Sequence, residues 1–236
     1  MGKKYFTLSF DDGIRQDVRC MEILKKYAIK ATFNVNSGLL GLEGTLDAPA
    51  YYGGKIRHDK MTVEELRQGV YDGFEVACHT MTHPLLPALT DAEVLSQLNG
   101  DYRNLSDYCG IPPVGMAYPC AHPNYDERVA NLVKTATPLK YARTIVSTGT
   151  FKRPESFFTW HPTTHVLSDD LPALTKTFLT EAPDEDLLFY VWGHSYEFDI
   201  GTTGTWQQFE DFCKTIANHK DVIYITNGDY VNLQTV

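Results

Sequence analysis

Residues 5–13 read YFTLSFDDG, an apolar run that ends in two adjacent carboxylates and a glycine. The alternation of aromatic, β-branched and apolar residues over residues 5–10 predicts a buried strand. Asp11 and Asp12 therefore follow directly where this strand ends, and Gly13 lets the backbone turn. Consecutive residues leaving a strand point to opposite sides unless the backbone turns, so we expect the two carboxylates to take different roles.

A second segment, HTMTH at residues 79–83, follows the short strand-like run at residues 74–78. Two histidines four residues apart face the same side of a helical turn, and we expect such a turn here. Either motif alone is weak, because Asp-Asp-Gly also marks solvated turns and paired histidines also occur at surface turns. Together at strand ends they favour a metal site with one carboxylate left free as a base. Metal plus base is the minimum needed to hydrolyse an amide or ester.

Strand-like and helix-like segments alternate along the whole chain. The predicted strands are residues 5–10, 31–36, 74–78, 114–118, 141–146, 187–192 and 222–226. Helices are predicted for residues 17–27, 125–136, 170–180 and 206–219. Two capping boxes, Thr62–Glu65 and Thr90–Glu93, each predict the start of a further helix, and the helix that begins at Thr90–Glu93 is predicted to reach about residue 108. Residues 37–61 are predicted to be a long irregular loop. Repeated β-α-β units with apolar strands predict a parallel sheet covered by helices.

Polar side chains follow four of these strands. Asp11 and Asp12 follow the first, and His79 and His83 follow the third; Tyr118 and His194 close two later ones. In a (β/α) barrel the carboxyl ends of the strands converge on one pocket, whereas an open doubly wound sheet would scatter these groups. We therefore predict a distorted, TIM-barrel-like (β/α) barrel with outer helices. No linker or internal repeat interrupts it, so residues 1–236 are predicted to form a single catalytic domain.

Composition narrows the function classes. The net charge of −9 disfavours binding to nucleic acid or to an anionic membrane surface. No run reaches the roughly 18 to 20 apolar residues of a membrane span, and the N-terminus has no signal region, so we expect a cytoplasmic protein. The five cysteines are odd in number and contain no C-x-x-C pair, which argues against a disulfide framework or a structural zinc site.

SFDDG, HTMTH and the Gly-His pair at residues 193–194 resemble the conserved segments of the polysaccharide deacetylase family (the NodB-homology domain, carbohydrate esterase family 4). The resemblance implies a distorted barrel of seven strands that removes N- or O-acetyl groups from sugars. It implies that Asp11 is the catalytic base and that His194 is the general acid. By the same resemblance the metal ligands are Asp12, His79 and His83.

Two family motifs are altered here. The third is typically Arg-x-Pro-Tyr-Gly, whereas residues 117–121 read AYPCA, so the arginine that steadies the base is absent from its usual place. Arg143 also closes a strand-like run and is the candidate to supply that charge. The backbone N–H of Cys120 corresponds to the oxyanion donor. The acidic fourth motif has no clear counterpart, and residues 160–165 (WHPTTH) occupy its region.

Further side chains are candidates for contact with a substrate: Tyr118, Pro119, His165, Trp192 and Glu197. Glu197 is alternatively the residue that orients the ring of His194, or an ordinary loop acid. Trp192 lies within an apolar strand, which also fits a core residue. The remaining assignments are a core position for Cys78, a packing role for His161, and surface positions for His58, His122 and His219.

The expected cofactor is one divalent metal ion. Zinc comes first, although a His-His-Asp set also accepts cobalt, nickel, manganese or iron. The expected substrate is a small acetylated sugar or oligosaccharide. Two alternatives stay open: another carbon–nitrogen hydrolase on the same fold, acting on an amide or ureide, and a carbohydrate-binding relative without catalysis.

Overall fold

The computed structural model describes residues 2–47, 54–200 and 205–234. The strands are β1 Lys4–Asp11, β2 Thr32–Val35, β3 Thr45–Asp47, β4 Lys55–Arg57, β5 Glu75–Cys78, β6 Gly115–Ala117, β7 Tyr141–Arg143, β8 Thr164–His165, β9 Leu187–Gly193 and β10 Val222–Tyr224. The helices are α1 Asp17–Lys26, α2 Val63–Arg67, α3 Asp91–Cys109, α4 Glu127–Ala136, α5 Leu171–Thr180, α6 Trp206–Ile216 and α7 Asn227–Gln234.

Parallel pairing joins seven strands in the spatial order β7-β6-β5-β2-β1-β9-β8, and β10 pairs with the first residues of β1. The sheet curls and is covered by helices, which confirms the predicted (β/α)7 barrel. Residues 160–166 run between β7 and β9: Trp160 bridges Arg143 at the end of β7, and the Val166 N–H donates to the carbonyl of Trp192 in β9. This segment therefore spans the gap between the two sides of the curled sheet.

The two-residue period of β1 explains why Asp11 points into the barrel. One set of alternate residues packs in the large hydrophobic core beneath the helices: Phe6, Leu8 and Phe10. The other set faces the interior, where the Thr7 hydroxyl bonds Asn227 at 2.9 Å and the Ser9 hydroxyl bonds Tyr190 at 3.1 Å. Asp11 is the next residue in this inward series and lies at the carboxyl end of the strand.

All seven predicted strands are present, with ends that differ from the prediction by at most three residues. Both capping boxes are also confirmed, because the Thr62 and Thr90 side chains each accept from the N–H three residues on and each glutamate bonds back. The two-residue strand β8 and the helix α7 were not predicted. Helix α7 closes the interior of the barrel with Tyr230, which is buried against Tyr5 and Trp160.

The segment predicted to be an irregular loop, residues 37–61, contains regular elements. It begins with a short 3-10 helix at Ser37–Leu39, and β3 and β4 then form an antiparallel hairpin in which Leu46 pairs with Ile56. Because β3 and β4 are regular strands, the prediction of an irregular segment is wrong for them. Residues 48–53 of the predicted loop lie outside the described residues. No helix in the described ranges has the length and the apolar character needed to cross a bilayer.

Gly115 offers a test of this packing. A Cβ at Gly115 would lie 2.2 Å from ring atoms of Tyr141, which is fully buried. We expect Gly115→Ala to lower the free energy of unfolding by about 1–3 kcal/mol through overpacking, measured by urea denaturation. Gly44→Ala is the control, because the nearest atom to its added Cβ is 3.8 Å away. Equal stability of the two variants would contradict this account of the β6–β7 contact.

Candidate active site

A cavity of about 520 Å³ opens at the carboxyl ends of the strands. Eight of the predicted site residues line it: Asp11, Asp12, His79, His83, Tyr118, Cys120, Trp192 and His194. They come from the ends of β1, β5, β6 and β9, as expected for a barrel. Pro119, which is buried, Arg143, His165 and Glu197 are not among the lining residues.

Asp11 is held by two donors in the interior. The Asn34 amide donates to its Oδ1 at 2.8 Å, and Arg143 Nη2 donates to Oδ1 at 2.6 Å and also to Oδ2. Both ions are buried, with 2% of Asp11 and none of Arg143 exposed. Burial would raise the pKa of Asp11, but the surrounding charges, led by Arg143, hold the pKa below its ordinary value. Asp11 is therefore a carboxylate at neutral pH.

Arg143 reaches Asp11 from the far edge of the sheet. Its guanidinium carbon lies 4.5 Å from the centre of the Trp192 ring, in cation–π geometry, and Nη1 donates to the Thr144 carbonyl at 3.2 Å. The structure thus places a buried arginine on the carboxylate although residue 117 is alanine. The positive charge that was expected from a neighbouring strand is therefore present beside Asp11.

Asp12, His79 and His83 form a group that can hold a metal ion. Asp12 Oδ1 lies 3.8 Å from His79 Nε2 and 3.7 Å from His83 Nε2. Bonds of about 2.0–2.1 Å to one central ion fit these separations, and two imidazoles with one carboxylate are a common donor set for zinc. Among the described residues a second such group exists, formed by His165, His194 and Glu197.

Both histidines of the first group are prepared as ligands. The Nδ1–H of His79 donates to the carbonyl of Ala117 at 2.9 Å, which leaves the Nε2 lone pair free. Burial lowers the pKa of His79 to about 4 and also lowers the pKa of His83. Each ring is therefore neutral at pH 7, the state that a metal requires.

The backbone around the site adopts unusual conformations. Of six non-glycine residues with positive φ in the described parts, four lie here: Asp12 (+86°), Thr80 (+67°), His83 (+58°) and Cys120 (+71°). Such conformations cost energy and cluster at functional sites. The helical turn predicted for residues 79–83 is wrong, because the segment forms a non-helical bend. Left-handed residues, rather than helical spacing, bring the two rings to a centroid distance of 4.9 Å.

His194 is surrounded by acidic groups. Its Nε2 lies 4.0 Å from Asp11 Oδ2, and its Nδ1 lies 3.3 Å from Glu197 Oε1, a charge contact rather than a well-aligned hydrogen bond. Burial acts to lower the pKa of His194, but the carboxylates, Glu197 foremost, outweigh it and raise the pKa to about 9. His165 Nε2 lies 3.2 Å from Glu197 Oε2. Glu197 thus lies behind the His194 ring and is not an exposed loop acid.

Sequence reasoning missed two residues that contact Asp12. The prediction that His58 is a surface residue is wrong: its Nε2 lies 3.0 Å from Asp12 Oδ2, and only 16% of its side chain is exposed. Lys60 Nζ donates to the Asp12 carbonyl at 2.9 Å. Both lie in the segment predicted to be irregular, where no motif marked them. By contrast, His122 is exposed as predicted.

Asp17 is a third missed residue, and it links two loops of the site. Its carboxyl accepts from the Ile14 N–H at 3.1 Å in the loop after β1, and from the Ser195 hydroxyl at 2.6 Å beside His194. Tyr71 donates to the same group at 2.7 Å. Burial raises the pKa of Asp17 to about 7. Asp17 is the first residue of a helix predicted from the sequence, and that position did not indicate that its side chain links the two loops.

The model of the polysaccharide deacetylase family matches residues 1–139. The chain belongs to the polysaccharide deacetylase family. This membership makes it a hydrolase of the deacetylase class. The match includes Asp11, Asp12, His79 and His83, whereas Arg143 and His194 lie beyond it. A comparison with curated proteins finds no match.

Solved structures of two deacetylases and of an acetyl xylan esterase share the fold. Peptidoglycan deacetylase PdaC from Bacillus subtilis is 20% identical with a TM-score of 0.55, over 98% of this chain and 93% of that one. A family 4 acetyl xylan esterase from Clostridium thermocellum, in complex with a cobalt ion, is 14% identical with a TM-score of 0.56, over 98% and 92%. Streptococcus pyogenes deacetylase PplD, in complex with acetate, is 20% identical with a TM-score of 0.52, over 65% of this chain and 61% of that one.

The buried pair of Arg143 and Asp11 leads to a stability prediction. We expect Arg143→Met to lower the free energy of unfolding by about 3–5 kcal/mol, because it leaves a buried carboxylate without its partner. Urea denaturation measures this loss, with Arg103→Met on the exposed side of α3 as the control. In the double variant Asp11→Asn/Arg143→Met the loss should be smaller than the sum of the two single losses. Additive losses would contradict a direct pair.

Proposed function

We propose that this chain is a metal-dependent deacetylase that removes acetyl groups from N-acetylated, or O-acetylated, small sugars or oligosaccharides. One observation carries the proposal. The two adjacent carboxylates have different principal partners: Asp12 Oδ1 faces two neutral histidines, while Asp11, whose Oδ2 lies 4.0 Å from His79 Nε2, is held by Arg143 and Asn34. A ligand set and an independent base therefore lie side by side, which is what metal-assisted hydrolysis needs.

The metal would be held by Asp12, His79 and His83, with zinc as the first candidate and cobalt, nickel, manganese or iron as others. When bound, such an ion polarises the acetyl carbonyl and lowers the pKa of a bound water molecule. All other steps fall to the side chains and backbone of this chain.

Asp11 acts as the general base in this proposal. The donors Arg143 and Asn34 fix its carboxylate, which leaves it ionised and aimed at the cavity. It accepts the proton of the attacking water. The backbone N–H of Cys120, at the rim of the same cavity, is the proposed donor to the oxygen that becomes negative during attack.

His194 acts as the general acid. An amine leaves poorly without a proton, and the raised pKa keeps the ring protonated at neutral pH. Glu197 orients this ring and maintains its charge, with His165 behind it. Because of these roles, we propose that Glu197 and His165 are positioning residues and not substrate contacts.

The cavity has the size and the lining for a small sugar. A volume of about 520 Å³ falls in the usual range of small-molecule sites. Trp192 contributes aromatic ring surface to the lining, whereas its indole N–H is buried and has no access to the cavity. Tyr118 contributes ring surface only, because its hydroxyl donates to the Phe158 carbonyl at 2.8 Å. Pro119 is buried and does not line the cavity, so it is not proposed as a substrate contact.

Glu197→Gln gives a pH prediction. A general acid must be protonated, so activity falls as pH rises through the pKa of His194. Removal of the Glu197 charge lowers that pKa from about 9, and the alkaline limb of the kcat profile should move to lower pH. The measurement is kcat against pH for the wild type and the variant. An unmoved alkaline limb would show that Glu197 does not control the acid.

Acetate release from acetylated amino sugars and short oligosaccharides, with metal-loaded protein, tests the function itself. We expect Asp11→Asn and His194→Ala to lower kcat by about 10²-fold or more, and the exposed His122→Ala to have no effect. Asp12→Ala should lose both metal and activity. Hydrolysis of amides or ureides in place of acetylated sugars would favour the other carbon–nitrogen hydrolase, and sugar binding without metal would favour a binding module.

A further inference from the structure

The strand β4 continues into a segment that is bonded to the turn carrying Asp12. We call residues 54–61 the β4 arm. In this arm, the Met61 N–H donates to the Gly13 carbonyl at 2.9 Å, and the Asp59 carbonyl accepts from the Arg15 N–H at 2.8 Å. The arm therefore lies along the whole turn after β1. Any side chain on its inner face has a fixed position relative to Asp12.

His58 projects from this arm onto the carboxylate. Because the carboxylate is an acceptor, the ring Nε2–H donates to Asp12 Oδ2, at 3.0 Å. The other oxygen, Oδ1, faces His79 and His83. The two oxygens of Asp12 thus have separate partners. A carboxylate held in this way cannot rotate freely about its terminal torsion, so Oδ1 stays directed at the two imidazoles.

Lys60 holds the backbone of the same residue. Its Nζ donates to the Asp12 carbonyl at 2.9 Å, and the side chain is 7% exposed. Asp12 has a φ of +86°, a conformation that costs on the order of 1–3 kcal/mol in a non-glycine residue and persists only when neighbours fix it. The buried ammonium is one such neighbour.

We propose that the β4 arm preorganises Asp12 for metal binding, with His58 and Lys60 as positioning residues. His58 fixes the carboxylate and thereby increases the affinity of the site for a divalent cation. Lys60 fixes the carbonyl and the left-handed backbone. The inference rests on the proposed role of Asp12 as a metal ligand, and it assigns a function to a hairpin segment that no motif marks.

Of His58 and Lys60, His58 gives the less ambiguous test. Lys60 Nζ lies 3.7 Å from Asp12 Oδ1, so its positive charge repels a metal ion bound at that oxygen. Its hydrogen bond to the Asp12 carbonyl, in contrast, orders the turn. Its removal therefore changes metal affinity through two effects of opposite sign. His58 has one expected effect, because its loss frees the carboxylate and leaves the backbone bonds of the arm in place.

The experiment measures the dissociation constant of zinc by competition with a chelating dye, using the full chain stripped of metal. We expect His58→Ala to weaken zinc binding by about 10- to 100-fold, the usual effect of removing a partner of a metal ligand. His58→Gln, whose amide can donate to the same oxygen, should recover most of that loss. Lys55→Ala, an exposed position on the same strand, is the matched control and should bind as the wild type does.

His83→Ala separates the possible failures, because it removes a proposed ligand. Loss of binding in His83→Ala with wild-type affinity in His58→Ala would overturn the positioning role and leave the metal site intact. Loss in His58→Ala as complete as in His83→Ala would also overturn it, because His58 would then be a ligand itself. Absence of zinc binding by the wild type would overturn the proposed function together with this inference.

Discussion

The buried contact between Arg143 and Asp11 is the constraint on which the site depends. A carboxylate with 2% exposure is unstable in the interior unless a cation or several donors compensate for lost water. Arg143 provides that compensation from the opposite side of the sheet, so Asp11 can be buried as a carboxylate only when β7 and β1 are both in place. Trp192 covers the guanidinium, and Asn34 completes the shell. Formation of the barrel therefore buries Asp11 and at the same time supplies the partner that keeps it ionised.

The adjacent carboxylate, Asp12, is stabilised in a different way from Asp11. Asp12 has left the strand, lies in a left-handed turn, and is held by groups from a hairpin instead of the sheet. Burial would raise its pKa, but the hydrogen bond from His58 and the charge of Lys60 hold the pKa well below its ordinary value. Two neighbouring aspartates can thus perform different chemistry because one belongs to the sheet and the other to a loop.

The sequence was sufficient to predict the barrel and most of the cavity lining, because these depend on local patterns. Apolar strands alternate with capped helices, and inward-facing residues of β1 can be counted in steps of two to Asp11. The placement of Arg143 also followed from its position at the end of a strand. The general position of His79 and His83 was predicted, although the helical turn between them was not formed. Left-handed φ values at Thr80 and His83 depend on tertiary contacts and leave no periodic signal.

His58, Lys60 and Asp17 could not be predicted, since their roles depend on contacts between segments distant along the chain. The central claim is that one divalent ion binds between Asp12, His79 and His83 while Asp11 stays free. Anomalous diffraction from crystals grown with zinc or cobalt tests it most directly. We predict one peak within bonding distance of Asp12 Oδ1 and of the Nε2 atoms of His79 and His83. A peak among His165, His194 and Glu197 instead, or an ion bonded to Asp11, would contradict it.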